Sequence, residues 1–346
     1  MRDPSDFKGP CRITFDTNPD DCNLNCIMCE ENSEFSRKRM ARAETPGRKR
    51  RMDKRVIRKV VEECQDNGLR EIIPSTMGEP LLYEHFDELL SLCREYDLLL
   101  NVTTNGTFPR RSATEWAKRI CPLGADVKIS WNGATPQTQE RIMVGSVYER
   151  NLSNIQDFVS VRDDVAERGH YCTVTLQMTF MEKNLKEIPE IVELATSLGA
   201  DRVKGHHLWV NFPEMLGESL RRSSGSIQRW NSMLPRVAEA AEQRRLPSGK
   251  RISLDNFFPL APGVEEMVSG SVCPFLGKEA WINHEGRFDP CCAPDNLRRT
   301  LGHFGSVAES PFRSLWTNAE YIELCRSYHG KEVCRNCNMR RPKEGG

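Results

Sequence analysis

Three cysteines in a C-x3-C-x2-C spacing mark the segment Asp21-Cys22-Asn23-Leu24-Asn25-Cys26-Ile27-Met28-Cys29-Glu30. The segment follows the first predicted strand, Arg12–Asp16, and so lies at the carboxyl edge where α/β barrels place their chemistry. Three thiolates do not complete a four-ligand site, so either a distant fourth ligand closes it or one metal keeps an open position. Structural zinc sites usually present paired CxxC knuckles. An iron–sulfur cube held by three cysteines instead leaves one iron able to bind a further ligand.

The overall composition limits the classes of function. The chain has 346 residues, with 49 Lys+Arg against 49 Asp+Glu. This balance argues against a protein that coats nucleic acid, because such binding needs an excess of cations. No apolar run approaches the ~20 residues of a membrane helix, and the segment Met1–Asp6 lacks the apolar core of a secretion signal. We therefore expect a cytoplasmic protein that does not bind a membrane.

The 14 cysteines are distributed unevenly. Three form the triplet, and six lie between Cys273 and Cys337. Clustered cysteines in a reducing compartment more often bind metal or perform redox chemistry than form disulfides. The scattered ones are predicted to be small core residues: Cys11, Cys64, Cys93, Cys121 and Cys172.

Apolar segments of strand length alternate with helix-period segments. The helix Asp53–Asn67 has an apolar stripe, an N-cap at Asp53 and a stop at Gly68, and Asn184–Leu198 repeats this design. Six strand–helix units imply parallel strands with crossover helices. They are fewer than the eight of a closed TIM barrel, so an open or partial barrel is expected from Arg12 to about Val210. The predicted strands are Arg12–Asp16, Glu71–Thr76, Leu98–Thr103, Asp126–Trp131, Cys172–Phe180 and Arg202–Trp209.

The pattern changes after the barrel. Ser223-Ser224-Gly225-Ser226 predicts a flexible joint, Ile227–Arg245 one helix, and Pro247-Ser248-Gly249 a turn. From Ser271 onward Gly, Pro and Cys are dense, and no long helix pattern precedes Leu315–Ser327. A small domain stabilised by metal suits that composition. We expect a barrel over 1–222, a linker and helix over 223–250, and a metal-binding domain over 251–346.

One run of basic residues stands out: Arg37-Lys38-Arg39, Arg42 and Arg48-Lys49-Arg50-Arg51. It could be a solvated loop, a docking face for an acidic electron donor of the flavodoxin or ferredoxin type, or a nucleic-acid arm. Aromatic residues that could stack on bases are sparse within it. A solvated or docking role is therefore favoured, and no nucleic-acid partner is expected.

The triplet and its position resemble the radical S-adenosylmethionine (SAM) superfamily, whose fold is a partial (β/α)6 TIM-like barrel. By this resemblance Cys22, Cys26 and Cys29 ligate three irons of a [4Fe-4S] cluster, and SAM chelates the fourth. The implied chemistry is reductive cleavage of SAM to methionine and a 5'-deoxyadenosyl radical, which abstracts a substrate hydrogen. Met28 stands where the family usually has an aromatic residue that contacts the adenine.

Other segments resemble the family's SAM-binding elements. Met77-Gly78-Glu79-Pro80 is similar to its GGEP motif, and a carboxylate at Glu79 would accept hydrogen bonds from the ammonium group of SAM. Gly78 belongs to the same element. Two strand ends supply the remaining candidates. They are Thr104 and Asn105 after strand three, and Ser130 and Asn132, similar to a ribose-contacting element, after strand four.

The second cysteine group resembles the twitch domain, the short relative of SPASM domains. It reads Cys273-Pro274, then Gly286-Arg287-Phe288-Asp289-Pro290-Cys291, then Cys334-Arg335-Asn336-Cys337. Two auxiliary clusters would need seven or eight cysteines, and this region has six. One auxiliary [4Fe-4S] cluster is expected, with Cys273, Cys291, Cys334 and Cys337 as ligands. Cys292 could replace its neighbour, Cys325 is expected in the core, and a zinc ribbon-like site is the alternative.

A fully ligated second cube is suited to moving electrons. Relatives with such a domain include aminocyclitol and amino-sugar dehydrogenases. We therefore expect a radical SAM oxidoreductase that oxidises a secondary alcohol of a sugar-like or aminocyclitol intermediate in antibiotic biosynthesis. The candidate bases are His206 and His207, of which strand alternation turns one inward. The alternatives are a maturase of a ribosomally made peptide, and a radical epimerase or decarboxylase of a sugar or nucleoside.

Overall fold

The computed structural model describes residues 9–44, 47, 49–74, 77–261, 263 and 269–343. Arg48 of the basic run and the predicted strand end at Thr76 lie outside these residues. In the first three quarters of the chain, the described residues form seven strands that alternate with helices. They are β1 (Arg12–Phe15), β2 (Glu71–Ile73), β3 (Leu99–Thr104), β4 (Asp126–Ser130), β5 (Thr173–Phe180), β6 (Arg202–His207) and β7 (Ser253–Asp255).

The helices of this region lie between the strands, as predicted. They are α1 (Arg37–Glu44), α2 (Lys54–Cys64), α3 (Phe86–Glu95), α4 (Ala113–Ile120), α5 (Pro136–Ile142), α6 (Tyr148–Ala166), α7 (Ile188–Ser197) and α8 (Ser224–Gln243). Among the described residues, no helix combines the length and the apolarity needed to cross a membrane.

The C-terminal region has short elements. Its strands are β8 (Ser271–Val272), β9 (Glu279–Ile282), β10 (Phe288–Asp289) and β11 (Arg341–Pro342), and its helices are α9 (Asp295–Arg298), α10 (Phe312–Trp316), α11 (Ala319–Ser327) and α12 (Glu332–Arg335). The predicted helix Leu315–Ser327 is therefore two helices, and the side chain of Asn318 caps the second by accepting the N–H of Glu320.

The described residues fall into two compact units. The first comprises those of 1–21, 48–102 and 268–346. Its strands follow the order β10-β9-β1-β2-β3, with β1 parallel to both β2 and β9 and with β10 antiparallel to β9. Arg12 bridges the three central strands, because its guanidinium bonds Glu71 on β2 and Glu279 on β9.

The second unit comprises the residues of 22–47 and 103–267. Strands β4, β5, β6 and β7 are parallel neighbours in that order. In the shared register Ser130 lies beside Gln177, Gln177 beside Lys204, and Lys204 beside Asp255. These positions share one face of the sheet because alternate residues of a strand point the same way.

Local signals explain two helix boundaries. Asp53 caps α2 by accepting the Arg55 N–H, and Gly68 ends the segment with φ +97° after one 3-10 turn. The expected flexible joint at 223–226 was wrong. The Ser223 hydroxyl accepts the N–H of Ser226 and caps α8, which begins at Ser224. A serine-rich segment thus starts the helix because the hydroxyl satisfies an N–H that has no helical partner.

Candidate metal centres

The cysteine triplet lies on a loop that apolar side chains hold in place. Leu24 and Ile27 are buried in a cluster with Ile142, Met143, Met181, Leu208 and Met215. Backbone bonds add to this: Asn25 N–H donates to the carbonyl of Val144 at 2.8 Å, and Ile27 N–H to that of Ile142 at 3.0 Å. The residues between the cysteines therefore anchor the loop, and Cys22, Cys26 and Cys29 are half-buried on it.

Two thiols of the triplet accept hydrogen bonds from nearby N–H groups. Cys22 Sγ accepts from the N–H of Leu24 at 3.5 Å and from Asn105 Nδ2 at 3.8 Å. Cys29 Sγ accepts from the N–H of Asn32 at 3.4 Å. Burial, followed by the charges of Cys29 and Cys22, raises the pKa of Cys26 well above its usual value. Three such thiolates are costly unless a cationic centre offsets them, so the site fits an iron cluster with hydrogen-bonded sulfurs.

The residues after β3 support the same loop. Asn105 Nδ2 donates to Asn23 Oδ1 at 2.8 Å, and Thr107 N–H donates to Asn105 Oδ1 at 3.0 Å. Thr104 is buried at the strand end. Asn105, which the resemblance assigned to SAM, is thus placed by the structure against the cysteine loop itself.

The strand-four candidates differ in their surroundings. Ser130 is half-buried at the end of β4. Asn132 is buried, and its Oδ1 accepts the N–H of Thr179 at 2.8 Å. Its own N–H donates to Gln139 Oε1 at 2.6 Å. These bonds fix the backbone and the amide oxygen of Asn132.

In the first unit, Gly78 and Glu79 pack against the backbone that leads to the triplet. Glu79 is fully buried, its N–H donates to the carbonyl of Asp21 at 2.6 Å, and its carbonyl accepts Asn18 Nδ2 at 2.8 Å. Glu79 Oε1 accepts the N–H of Leu81 at 3.2 Å. The carboxylate is thereby held in one orientation. Met28, in the second unit, packs beside the apolar cluster, and its carbonyl accepts Asn211 Nδ2 at 3.3 Å.

Gly78→Ala is expected to destabilise the protein strongly. Gly78 has φ +78°, and a Cβ there would lie 2.2 Å from the carbonyl oxygen of Asn18, which is backbone and cannot move aside. Gly68→Ala is the matched control, because Gly68 has φ +97° and open space around the added Cβ. The control should cost about 1–2 kcal/mol from the positive φ alone. Denaturant unfolding should show a clearly larger loss for Gly78→Ala, and equal losses would contradict the close approach.

The auxiliary cysteines lie around one pocket in the first unit. Cys273, Cys291, Cys334 and Cys337 all line it, and so does Cys292. The remaining lining is mostly apolar: Phe275, Leu276, Ala293, Leu301, Tyr328 and Val333, with Arg340. The four predicted ligands are thus brought together, whereas Cys325 is buried on α11, as expected of a core residue.

The electrostatics of this pocket suit a bound cluster. Burial raises the pKa of Cys291, and the neighbouring Cys337, Cys273 and Cys334 raise it further. Burial also raises the pKa of Cys334 to about 12, whereas Arg340 opposes the rise. Two tyrosine hydroxyls fix the cysteine loop by accepting N–H bonds at 3.1 Å: Tyr328 from Cys273 and Tyr321 from Gly277. Apolar walls and converging thiols therefore fit an iron–sulfur cube.

Two further findings concern the cysteines. Cys64, Cys93, Cys121 and Cys172 are buried, as predicted, but Cys11 is exposed, so the core prediction was wrong there. Within the described residues, no three His, Cys, Asp or Glu side chains are grouped so as to hold a single metal ion. Cysteines that bind different irons of one cube lie further apart than the ligands of one ion, so this finding does not bear against a cluster.

The two histidines of β6 lie on opposite faces of the sheet. His206 shares a face with Arg202 and Lys204, and its Nε2 is 3.4 Å from Thr179 Oγ1. On that face Lys204 pairs with Asp255 at 3.3 Å. Burial, and to a smaller degree Lys204, lowers the pKa of His206 to about 4. His206 is therefore neutral near pH 7 and can accept a hydrogen bond.

His207 packs between aromatic rings. Its ring centroid lies 4.7 Å from that of Trp230 and 5.3 Å from that of Phe180. Burial, followed by the charge of Arg221, lowers the pKa of His207 to about 3. Of the two candidate bases, His206 therefore has the polar surroundings and His207 has a packing role.

The low pKa of His207 predicts an acid-sensitive fold. Between about pH 6.5 and pH 3 the unfolded chain holds a proton on this side chain that the folded chain does not, so stability falls as the pH falls through this window. His207→Gln should lessen the slope of unfolding free energy against pH by at most about 1.4 kcal/mol per unit. Urea unfolding of both proteins from pH 7 to pH 4 measures the slope, and parallel curves would rule out this contribution.

Comparison with known proteins bears on the assignment. Residues 19–195 match the Radical SAM superfamily, and residues 273–338 match SPASM, an iron–sulfur cluster-binding domain. Among curated proteins, the chain is 22% identical to a tungsten-containing aldehyde ferredoxin oxidoreductase cofactor-modifying protein of Pyrococcus furiosus, covering 92% of this chain and 85% of that one. It is 23% identical to a PqqA peptide cyclase of Gluconobacter oxydans, covering 94% and 82%.

Solved structures agree on the fold. Streptococcus suis SuiB bound to its precursor peptide SuiA superimposes with a TM-score of 0.65 at 15% identity, covering 93% of this chain and 68% of that one. Native anSMEcpe with bound AdoMet gives a TM-score of 0.62 at 14% identity, covering 91% and 82%. These likenesses confirm the predicted partial TIM-like barrel with a C-terminal SPASM domain.

The matches also indicate which cofactors the protein binds. A SAM-binding iron–sulfur cluster and an auxiliary cluster are both supported, as predicted, together with SAM itself. The expected kinship with aminocyclitol dehydrogenases receives no support, and neither does a role in antibiotic biosynthesis. The cysteine loop, the buried Glu79 and the match over 19–195 lead to one conclusion: the chain belongs to the Radical SAM superfamily and carries a SPASM domain.

Proposed function

We propose that this protein is a radical SAM maturase that modifies a peptide substrate by abstracting a hydrogen atom from one of its residues. The observation that carries the proposal is the likeness to peptide cyclases over nearly the whole chain, across the barrel and the SPASM domain together. The earlier alternative of a peptide maturase is thus better supported than oxidation of a sugar-like alcohol.

Each cluster takes its ligands from one of the described cysteine groups. Cys22, Cys26 and Cys29 hold the SAM-binding cluster, and Glu79 receives the ammonium group of SAM. Cys273, Cys291, Cys334 and Cys337 hold the auxiliary cluster. When bound, SAM and its cluster supply hydrogen abstraction. A flavodoxin- or ferredoxin-type protein supplies the electron in this proposal.

The carboxyl end of the polar face shared by β5 and β6 contacts the substrate in this proposal. Arg202 and Asp126 are the first residues of their strands and pair with each other at 2.8 Å, at the opposite end of the sheet. Lys204 lies further along β6 and pairs with Asp255 at 3.3 Å. His206 and Thr179 add neutral hydrogen-bonding groups to this face. Such a face suits the polar backbone of a peptide better than an apolar ligand.

The test is anaerobic incubation of the reconstituted enzyme with SAM, a reductant and peptides encoded beside its gene. Mass spectrometry should show a changed peptide mass, formed together with 5'-deoxyadenosine. A variant with alanine at Cys22, Cys26 and Cys29 should form neither product. If 5'-deoxyadenosine forms and a sugar-like alcohol loses two mass units while every peptide stays unchanged, the dehydrogenase reading replaces this proposal.

A further inference from the structure

The cysteine triplet is bracketed by carboxylates on both sides. Asp20 and Asp21 directly precede Cys22, and Glu30 and Glu31 directly follow Cys29. Their side chains are largely buried, with exposed fractions of 3–4% for Asp20, Asp21 and Glu31 and 11% for Glu30. Carboxylates so deeply buried are costly unless cations and hydrogen bonds compensate them.

The basic run supplies the cations on the amino-terminal side of the triplet. Lys49 Nζ bonds Asp21 Oδ1 at 2.6 Å, and Arg51 Nε bonds Asp21 Oδ2 at 2.7 Å. Arg50 donates to Asp20 through its backbone N–H at 2.8 Å and through its guanidinium at 2.6 and 3.0 Å. These pairs lie within the first unit.

The run also supplies the cations on the carboxyl-terminal side, within the second unit. Lys38 Nζ bonds both Glu30 at 2.6 Å and Glu31 at 2.7 Å. Arg42 Nη1 bonds Glu31 at 2.8 Å, and Arg42 Nη2 bonds the carbonyl of Glu31 at 2.6 Å. Arg42 is also linked to a ligand of the triplet, because its Nη2 bonds Asn32 Oδ1 at 3.0 Å and the N–H of Asn32 donates to Cys29 Sγ at 3.4 Å.

We propose that the basic run sets the reduction potential of the SAM-binding cluster by neutralising these four carboxylates. Adding an electron to a cluster is disfavoured by nearby negative charge, and such charge acts strongly where water is excluded. The cations of the basic run do not touch the cluster and act on it only through the acidic residues that flank its ligands. These positioning residues are Lys38, Arg42, Lys49, Arg50 and Arg51. Each of the five cations thus has a carboxylate partner, while its side chain remains between 28% and 58% exposed.

The test is a double-mutant cycle of Lys38 and Glu30. The midpoint potential of the cluster is measured in each variant by EPR-monitored redox titration. Lys38→Met leaves Glu30 without this cation and should shift the potential to more negative values. Glu30→Gln removes the carboxylate and should shift it to more positive values. The double variant should return close to the wild-type potential, because both charges are gone. Arg37→Met is the control, since this exposed residue of α1 shows no ion pair among the described residues.

The outcomes separate this inference from the proposed function, on whose cluster ligands it rests. The titration uses no peptide, so failure to modify a peptide leaves the inference intact. If Lys38→Met and Glu30→Gln both keep the wild-type potential at equal iron content, the inference is overturned. If Lys38→Met does not load iron, the shift of the potential in Glu30→Gln still tests the inference. That variant leaves no buried charge without a partner, because Lys38 still pairs with Glu31. A wild-type protein without a SAM-responsive cluster signal would overturn both the inference and the ligand assignment.

Discussion

Alanine at any one of Cys22, Cys26 and Cys29 is expected to abolish reductive cleavage of SAM. Each thiolate would bind a different iron, so a cluster with two protein ligands is neither held firmly nor left with one defined open iron. The rate of 5'-deoxyadenosine formation should fall by more than about 100-fold, which corresponds to about 2.7 kcal/mol of barrier. Chromatography of 5'-deoxyadenosine and the EPR signal of the reduced protein measure the loss.

Cys93→Ala is the control for this result. Cys93 is buried on α3, belongs to neither cysteine group and does not line the auxiliary pocket, so its replacement should leave iron content and SAM cleavage unchanged. SAM cleavage at the wild-type rate in the three single variants would contradict the ligand assignment. Equal loss in Cys93→Ala would point to a general effect on folding.

Alanine at both Cys334 and Cys337 is expected to stop net modification of the substrate while sparing cleavage of SAM. A fully ligated auxiliary cube accepts or passes an electron, so its loss should uncouple the two processes. The measured ratio of modified substrate to 5'-deoxyadenosine should fall by at least about tenfold, about 1.4 kcal/mol. Full coupling in this variant would show that the auxiliary cluster is dispensable for the chemistry.

Cys292→Ala provides the matched control in the same pocket. It removes a lining thiol next to Cys291 but leaves the four proposed ligands, so the iron content and the coupling should both persist. A loss of coupling equal to that of the double variant would make Cys292 a ligand. Thermal unfolding of each variant, before and after reconstitution, shows whether the SPASM domain still folds without its cluster.

The SAM-binding elements could be predicted from the sequence because their signals are local. A triplet after a strand, Gly-Glu-Pro after the next strand and alternation along β6 each depend on a few neighbouring residues. Alternation correctly separated His206 from His207, although it could not say which ring is enclosed by Trp230 and Phe180. That choice depends on α8, which is distant in the sequence.

Other features depend on contacts that no local pattern records. The ion pairs of the basic run could not be predicted from its sequence, because its partners lie up to 30 residues away, on both sides of the triplet. The bond that Asn132 Oδ1 accepts from a backbone N–H of β5 is one such contact, and the ribose contact expected of Asn132 stays a prediction. Ser223 was expected in a flexible joint because serine and glycine composition does not reveal whether a hydroxyl caps a helix. The substrate is hidden for the same reason, since it is selected by side chains from several strands.

The pairing of β9 with β1 has a consequence for synthesis of the chain on the ribosome. Residues 12–15 emerge first, but their partners at 279–282 emerge more than 260 residues later. Until then one side of the first strand offers unsatisfied backbone groups to any other extended chain. A nascent or prematurely terminated product that ends before β9 is therefore expected to aggregate. For this reason the SPASM region helps to protect the amino-terminal sheet as well as binding a cluster.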